Sequence, residues 1–226
     1  MGSITPATSS PGGGVTATLV GNGFPIDSSK PFTLEVCGNT VTEVLTVSNQ
    51  QITFTVPEMV TACSGNSQIV VNGKTATFTF TYDAGIAPSI SSLNATSASP
   101  ILKGQLMIQG SQFGNVGNTY VYLYQGGVKK YELNALEVSA NQIRCVLGGG
   151  KTGEYDVLVF VDGVGLSSPS ANAKFSYQIY VSSVSPVSGS MGGGYTLTIT
   201  GKNFATDKSS NNVFVGNALN SVCSVT

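Results

Sequence analysis

The sequence predicts an all-β chain of tandem two-sheet sandwiches, and three observations carry that prediction. The chain repeats itself three times with a period of about 90 residues. Apolar residues alternate with polar ones at the period of a strand, and no segment sustains a helical period. Glycine, 28 of 226 residues, clusters with Asn, Asp, Ser and Pro between the alternating runs, where turns need it.

The elements recur in order. Each complete opening begins on a turn rich in small residues, ITPATSSPGGG at 4–14 and VSPVSGSMGGG at 184–194. A strand follows and ends on a glycine–aromatic motif: VTATLVGNGF to Phe24, QLMIQGSQF to Phe113 and YTLTITGKNF to Phe204, with Gly21, Gly110 and Gly201 in register. Next, FTLEV at 32–36 corresponds to YVYLY at 120–124 and VFV at 213–215, and VSNQQI at 47–52 corresponds to VSANQI at 138–143. Asn72-Gly73 and Asp162-Gly163 are matching type I′ hairpin signals. The closing strand alternates Thr77, Phe78, Thr79, Phe80, Thr81, Tyr82, with AKFSY at 173–177 as its counterpart. About seven short strands per unit describe an immunoglobulin-like sandwich. The expected units are 1–84, 85–178 and 179–226, the third holding only the N-terminal half of the pattern. The joints, from Asp83 to Pro88 and from Gln178 to Tyr180, are short, so the array is expected to be extended and stiff.

VSPVSGSMGGGYTLTITGKNF, residues 184–204, resembles the opening of the IPT/TIG domain (immunoglobulin-like, plexin, transcription factor), and VVNGKTATFTFTY and VFVDGVG with KFSYQ are similar to its last hairpin. The resemblance spans nearly the whole chain. It implies a disulfide between Cys37 and Cys63, two free buried thiols being the alternative. Cys223-Ser224-Val225 and Ile143-Arg144-Cys145 are similar to the two halves of another family cysteine pair, which implies a lone buried thiol at Cys145 and a partner for Cys223 beyond residue 226. It also implies an extracellular or cell-surface protein with a structural or adhesive role, its partners being further copies of itself or other surface proteins. A ligand-binding receptor ectodomain, a Rel-type transcription factor and an accessory domain of a carbohydrate enzyme are the other settings of the family.

Composition narrows these settings. Ten Lys+Arg against 11 Asp+Glu, with Lys129-Lys130 the one adjacent basic pair, leave no electrostatic footprint for nucleic acid or an anionic membrane. No apolar run reaches the length of a membrane span, and Pro6 stands where a myristoylation signal needs Ser or Thr. The absence of histidine removes Ser-His-Asp and Cys-His catalysis and imidazole metal sites. GGGKTG, residues 148–153, has the end of a phosphate-binding loop, but Cys145 stands at its first glycine and a strand follows where a helix is needed. Its glycines read as turn formers ahead of the last hairpin. Glu154 and Asp156, two apart on a strand, read as a solvated face rather than a calcium site, which takes six or more oxygens. Tyr120, Tyr122 and Tyr124 share one face, which reads as sheet packing with a sugar-stacking platform as the alternative. No catalytic, cofactor or metal-binding residue is expected. Asn94, in the one sequon Asn94-Ala95-Thr96, is expected to be exposed and to carry a glycan. Half a sandwich leaves strand edges unpaired, so Leu197, Ile199, Val213 and Val215 are expected to be covered by a neighbouring copy through strand addition, building a head-to-tail filament.

Overall fold

The structure is a computed structural model that describes residues 2–25, 32–59, 62–98, 104–204, 208, 211–216 and 222–225. In the first unit run β1 (Ile4–Thr5), β2 (Thr8–Ser9), β3 (Thr16–Val20), β4 (Phe32–Val36), β5 (Asn39–Thr40), β6 (Val44–Val47), β7 (Gln51–Thr55), β8 (Cys63–Val71) and β9 (Lys74–Tyr82). They form two sheets, ordered β1-β3-β7-β6 and β2-β9-β8-β4-β5. The alternation explains the sandwich: on β9, Phe78, Phe80 and Tyr82 are buried while Thr77 and Thr79 face solvent. From the facing sheet Ile52 and Phe54 complete the core with Leu34 and Val36. Short β2 leaves the sheet of β1 and runs parallel to β9, so the first strand serves both sheets.

The second unit repeats this plan with β10 (Ser89–Leu93), β11 (Ser97–Ala98), β12 (Gln105–Ser111), β13 (Thr119–Gln125), β14 (Val128–Ser139), β15 (Gln142–Val146), β16 (Gly153–Val161), β17 (Gly165–Leu166) and β18 (Lys174–Tyr177). Its β14 is long enough to belong to both sheets: residues 128–133 pair with β13 and residues 134–139 with β15. Leu106, Ile108, Val121, Leu123, Ile143 and Phe175 form a core separate from that of the first unit. In the third unit β19 (Tyr180–Ser185) pairs with β20 (Thr198–Lys202), and β21 (Val213–Phe214) with β22 (Val222–Cys223). The result is nearly all-β, with sandwiches in tandem.

The glycine–aromatic motif has a steric basis. A Cβ on Gly110 would collide with the Ser89 carbonyl oxygen and the Phe113 ring, and one on Gly201 would meet the Tyr180 carbonyl oxygen and the Phe204 ring. The ring folds back over its own glycine as the residue just before the phenylalanine takes a left-handed backbone: φ is +80° at Gly23, +61° at Gln112 and +63° at Asn203.

One turn differs from its sequence signal. Asn72 and Gly73 both have positive φ, as a type I′ turn requires, and Val71 faces Lys74. At Asp162-Gly163 only the glycine is left-handed, and Val161 faces Gly165, so the loop is one residue longer. Within the loop, Val164 N–H donates to the Val161 carbonyl at 3.0 Å.

Candidate functional site at the joints between units

The hairpin tip of the second unit is seated on the opening turn of the first. Ser10 N–H donates to the Val164 carbonyl at 2.6 Å, and Leu166 N–H donates back to the Gly13 carbonyl at 3.0 Å. The Ser10 hydroxyl donates to the Leu166 carbonyl at 2.9 Å, and the Ser9 hydroxyl to the Val164 carbonyl at 3.2 Å. Both serines are fully buried, and these bonds satisfy them. Close approach of the backbones dictates the glycines. A Cβ on Gly12 would strike the Leu166 carbonyl, and one on Gly165, whose φ is +122°, would strike the Ser10 hydroxyl. Phe160 of β16 closes the contact by packing against the first unit's core.

The linkers are fastened as well, by the same device at both joints. The left-handed Gln112 donates its side-chain amide to the Gly85 carbonyl in the first linker at 3.1 Å. Its counterpart Asn203 donates to the Gln178 carbonyl in the second linker at 3.4 Å. In the first linker Asp83 accepts from Gly85 N–H at 2.8 Å and caps a 3-10 turn over Ala84–Ile86.

The GGGKTG loop takes its place here. Tyr177 donates its hydroxyl to the Gly148 carbonyl at 2.8 Å, Lys151 N–H donates to Tyr131, and Tyr155 donates to the Lys151 carbonyl. The Tyr177 ring fills the space a Cβ on Gly150 would need. Thr152, the residue a phosphate loop would offer to a metal ion, instead donates its hydroxyl to the Asn203 carbonyl of the third unit at 2.9 Å. Burial pushes the Tyr155 and Tyr177 phenols up to about 12, with neighbouring Tyr131 adding to both, so these bonds hold throughout the neutral range.

The remaining sequence candidates fall as follows. Cys37, on the turn after β4, and Cys63, at the start of β8, are joined in a disulfide with a Cα–Cα distance of 6.5 Å. Cys145 is a free thiol, fully buried and pushed up to about 12 by that burial, and Cys223 is free and half-buried. Glu154 and Asp156 face a cation that belongs to the chain itself: Lys174 Nζ lies 2.5 Å from Asp156 and 3.7 Å from Glu154. The hydrogen bond to Asp156 leads in raising the Lys174 pKa. Among the described residues no group of three or more His, Cys, Asp or Glu is placed to hold a metal.

Tyr120, Tyr122 and Tyr124 do share the outer face of β13, but they form a row with other residues. Tyr120 and Tyr122 stack at 6.3 Å, Phe160 lies 6.2–6.3 Å from both, and Lys129 Nζ sits 3.9 Å over the Tyr122 ring. Phe160 links this row to the joint by packing on the first unit's core, and burial, then the charge of Glu58, raises the Tyr124 phenol. Asn94 is exposed, and its side-chain oxygen accepts from Met107 N–H at 2.8 Å. In the third unit Leu197, Ile199 and Val213 are half-buried and Val215 is exposed. The joint residues Ser9, Ser10, Gln112, Thr152 and Asn203 were not legible as such. The repeated GGG turns at 12–14 and 192–194 were their one visible trace.

Two-sheet sandwiches opened by this turn and closed by this hairpin define the class, and the chain belongs to the IPT/TIG domain family, which it matches over residues 1–82, 88–177 and 180–226. Among its relatives are Fibrocystin-L of Homo sapiens, 30% identical over 217 residues, and Fibrocystin of Canis lupus familiaris, 26% identical over 226 residues. These alignments cover 94% and 96% of this chain and 5% of each relative, so the chain spans about one-twentieth of their length. A solved structure of the plexin A4 full extracellular region covers all of this chain with 19% of its own, at 15% identity and a TM-score of 0.46.

Proposed function

We propose that this chain is a non-enzymatic structural segment of an extracellular or cell-surface protein, in which TIG units are locked to one another and present their surfaces at a fixed relative orientation for adhesion. The observation that carries this reading is the joint of the first two units, where two buried serines and reciprocal backbone hydrogen bonds tie the Ser10 turn to the Val164 hairpin. A hinge between independent domains has no need of buried polar groups satisfied across it. The Cys37–Cys63 disulfide suits an oxidising compartment, and exposed Asn94 is the residue to carry a glycan there.

Gly165→Val tests the reading. Its side chain has no room beside Ser10, so the variant is expected to lose amide-exchange protection at Ser10 and Leu166 by about a hundredfold or more, while both cores stay protected. Small-angle scattering is expected to show a broadened distribution of inter-unit distances. Unchanged protection at Ser10 and Leu166 sinks the locked-array reading.

A second reading, head-to-tail self-association, is favoured by apolar side chains left bare on the third unit: Ile179, Val181, Phe214 and Val215 are 47–60% exposed. Strand addition by a second copy at β20 and β21 would cover Leu197, Ile199, Val213 and Val215. Sedimentation of the parent is then expected to show association that grows with concentration, and Ile199→Asp is expected to abolish it. A parent that stays monomeric at every concentration rejects this second reading.

A further inference from the structure

The strands of the second unit form one rolled sheet, in the order β10-β12-β15-β14-β13-β16-β18-β11. Its two ends, β10 and the pair β18–β11, face each other across an opening, and residues 94–96 carry the chain over it. Ser176 N–H donates to the Thr96 carbonyl at 2.9 Å and Thr81 N–H to the Ala7 carbonyl at 3.0 Å, which makes Thr96 and Ala7 equivalent. The first unit therefore crosses with Thr5-Pro6-Ala7 where the second has Asn94-Ala95-Thr96, and the third has Ser185-Pro186-Val187. Proline in the middle position forbids a sequon, so of the three crossings this one alone can carry an N-linked sugar.

Asn94 is held from two sides. Its N–H donates to the Met107 carbonyl at 3.0 Å, and Met107 N–H donates to Asn94 Oδ1 at 2.8 Å, so the side chain extends the β10–β12 ladder. Glycosylation uses the other amide atom: Nδ2 loses a proton and bonds to the anomeric carbon of a glycosyl donor, whose bond to its phosphate leaving group breaks. Among the described residues nothing pairs with Asn94 Nδ2 or the Thr96 hydroxyl. The substituted amide keeps its oxygen, so the bond to Met107 persists and fixes the plane in which the first sugar leaves. With Oδ1 turned to β12, Nδ2 is turned from it, and β10 is the last strand on that side.

The opening holds a cavity of about 530 Å³, a size that small ligands occupy. Half-buried Leu93 gives it an apolar patch, and Ser91, Thr96, Asn172 and Ser176 surround that patch with hydroxyl and amide groups. This mixture suits an N-acetylhexosamine, whose apolar ring face and acetamide methyl lie among hydroxyls. We propose that the opening between β10 and β18 is the bed of an N-linked glycan on Asn94, with the first N-acetylhexosamine resting on Leu93 and hydrogen-bonded to Asn172. A sugar there covers the unpaired edge of β10. The inference rests on the extracellular reading of this chain and names where the sugar lies.

The chain secreted from mammalian cells tests the proposal. Intact mass is expected to show one glycan, lost in Thr96→Ala. In the glycosylated protein, NMR is expected to show Overhauser contacts from the acetamide methyl of the first sugar to Leu93 and Asn172. Asn172→Trp fills the opening and is expected to abolish the contact to Leu93 while the glycan stays attached. A glycan whose first sugar touches neither Leu93 nor Asn172 overturns the bed alone. An unmodified Asn94 overturns it together with the extracellular reading, and the locked joint, read separately by Gly165→Val, still stands. Met107 reports the anchoring of the amide. Its exchange protection is expected to stay within about threefold of the unglycosylated parent in Thr96→Ala and to fall about tenfold or more in Asn94→Ala. Equal protection in the two variants shows that Met107 does not orient the amide, and overturns the proposal.

Discussion

Replacing Cys37 and Cys63 together by alanine is expected to lower the stability of the first unit by about 3–4 kcal/mol. The two cysteines close a 26-residue separation, and the chain-entropy relation gives that figure for a loop of this size. Part of the bridge's role is local. Cys37 holds a left-handed backbone, φ +50°, and its N–H donates to the Ser67 hydroxyl at 3.0 Å, so the bond pins the turn between β4 and β5 to β8. The two cores are separate clusters, so the loss is expected to fall on the first unit's urea transition. A shift of roughly 4–8 °C per kcal/mol is expected in that unit's Tm. A change below about 1 kcal/mol, outside the range expected for a loop of this length, shows that the bond constrains nothing the unfolded chain would otherwise explore.

Gly110→Ala is expected to destabilise the second unit by about 3 kcal/mol, the upper end of what overpacking costs. The new methyl meets the Ser89 carbonyl, which is backbone held in the β10–β12 ladder, and the Phe113 ring, which is 5% exposed. Neither gives way cheaply. Phe113→Ala alone is expected to cost about 3–5 kcal/mol for the cavity it leaves. Because the ring and the methyl compete for one space, the double variant is expected to cost less than the two added together, and denaturant titration of the four proteins measures that coupling. Strict additivity would mean that the ring does not lie over the glycine.

The same residue shows why the fold was so legible. Gly110 recurs as Gly21 and Gly201, each three residues ahead of a phenylalanine, and the contact that demands the pair is local. The disulfide was visible as an implication of family resemblance, and the buried Cys145 likewise. The Asp162-Gly163 loop is one residue longer than its type I′ signal, and what its end meets, the Ser10 turn, lies about 150 residues earlier in the chain. The calcium alternative at Glu154 and Asp156 gives way to Lys174, which arrives only when β18 pairs with β16.

By itself the sequence determined the three-fold repeat, the strands and the buried face of each. Those properties follow from period-2 alternation and from turn residues whose conformations are intrinsic to them. Tertiary structure alone decided what each unit meets. Ser9 and Ser10 look like ordinary turn residues, and nothing near them in the chain says that they are buried, because their partners at Val164 and Leu166 belong to another sandwich. Alternation marks a face as covered without naming its cover. Hydrogen bonds between backbones leave almost no trace in side-chain identity beyond the glycines that let them approach.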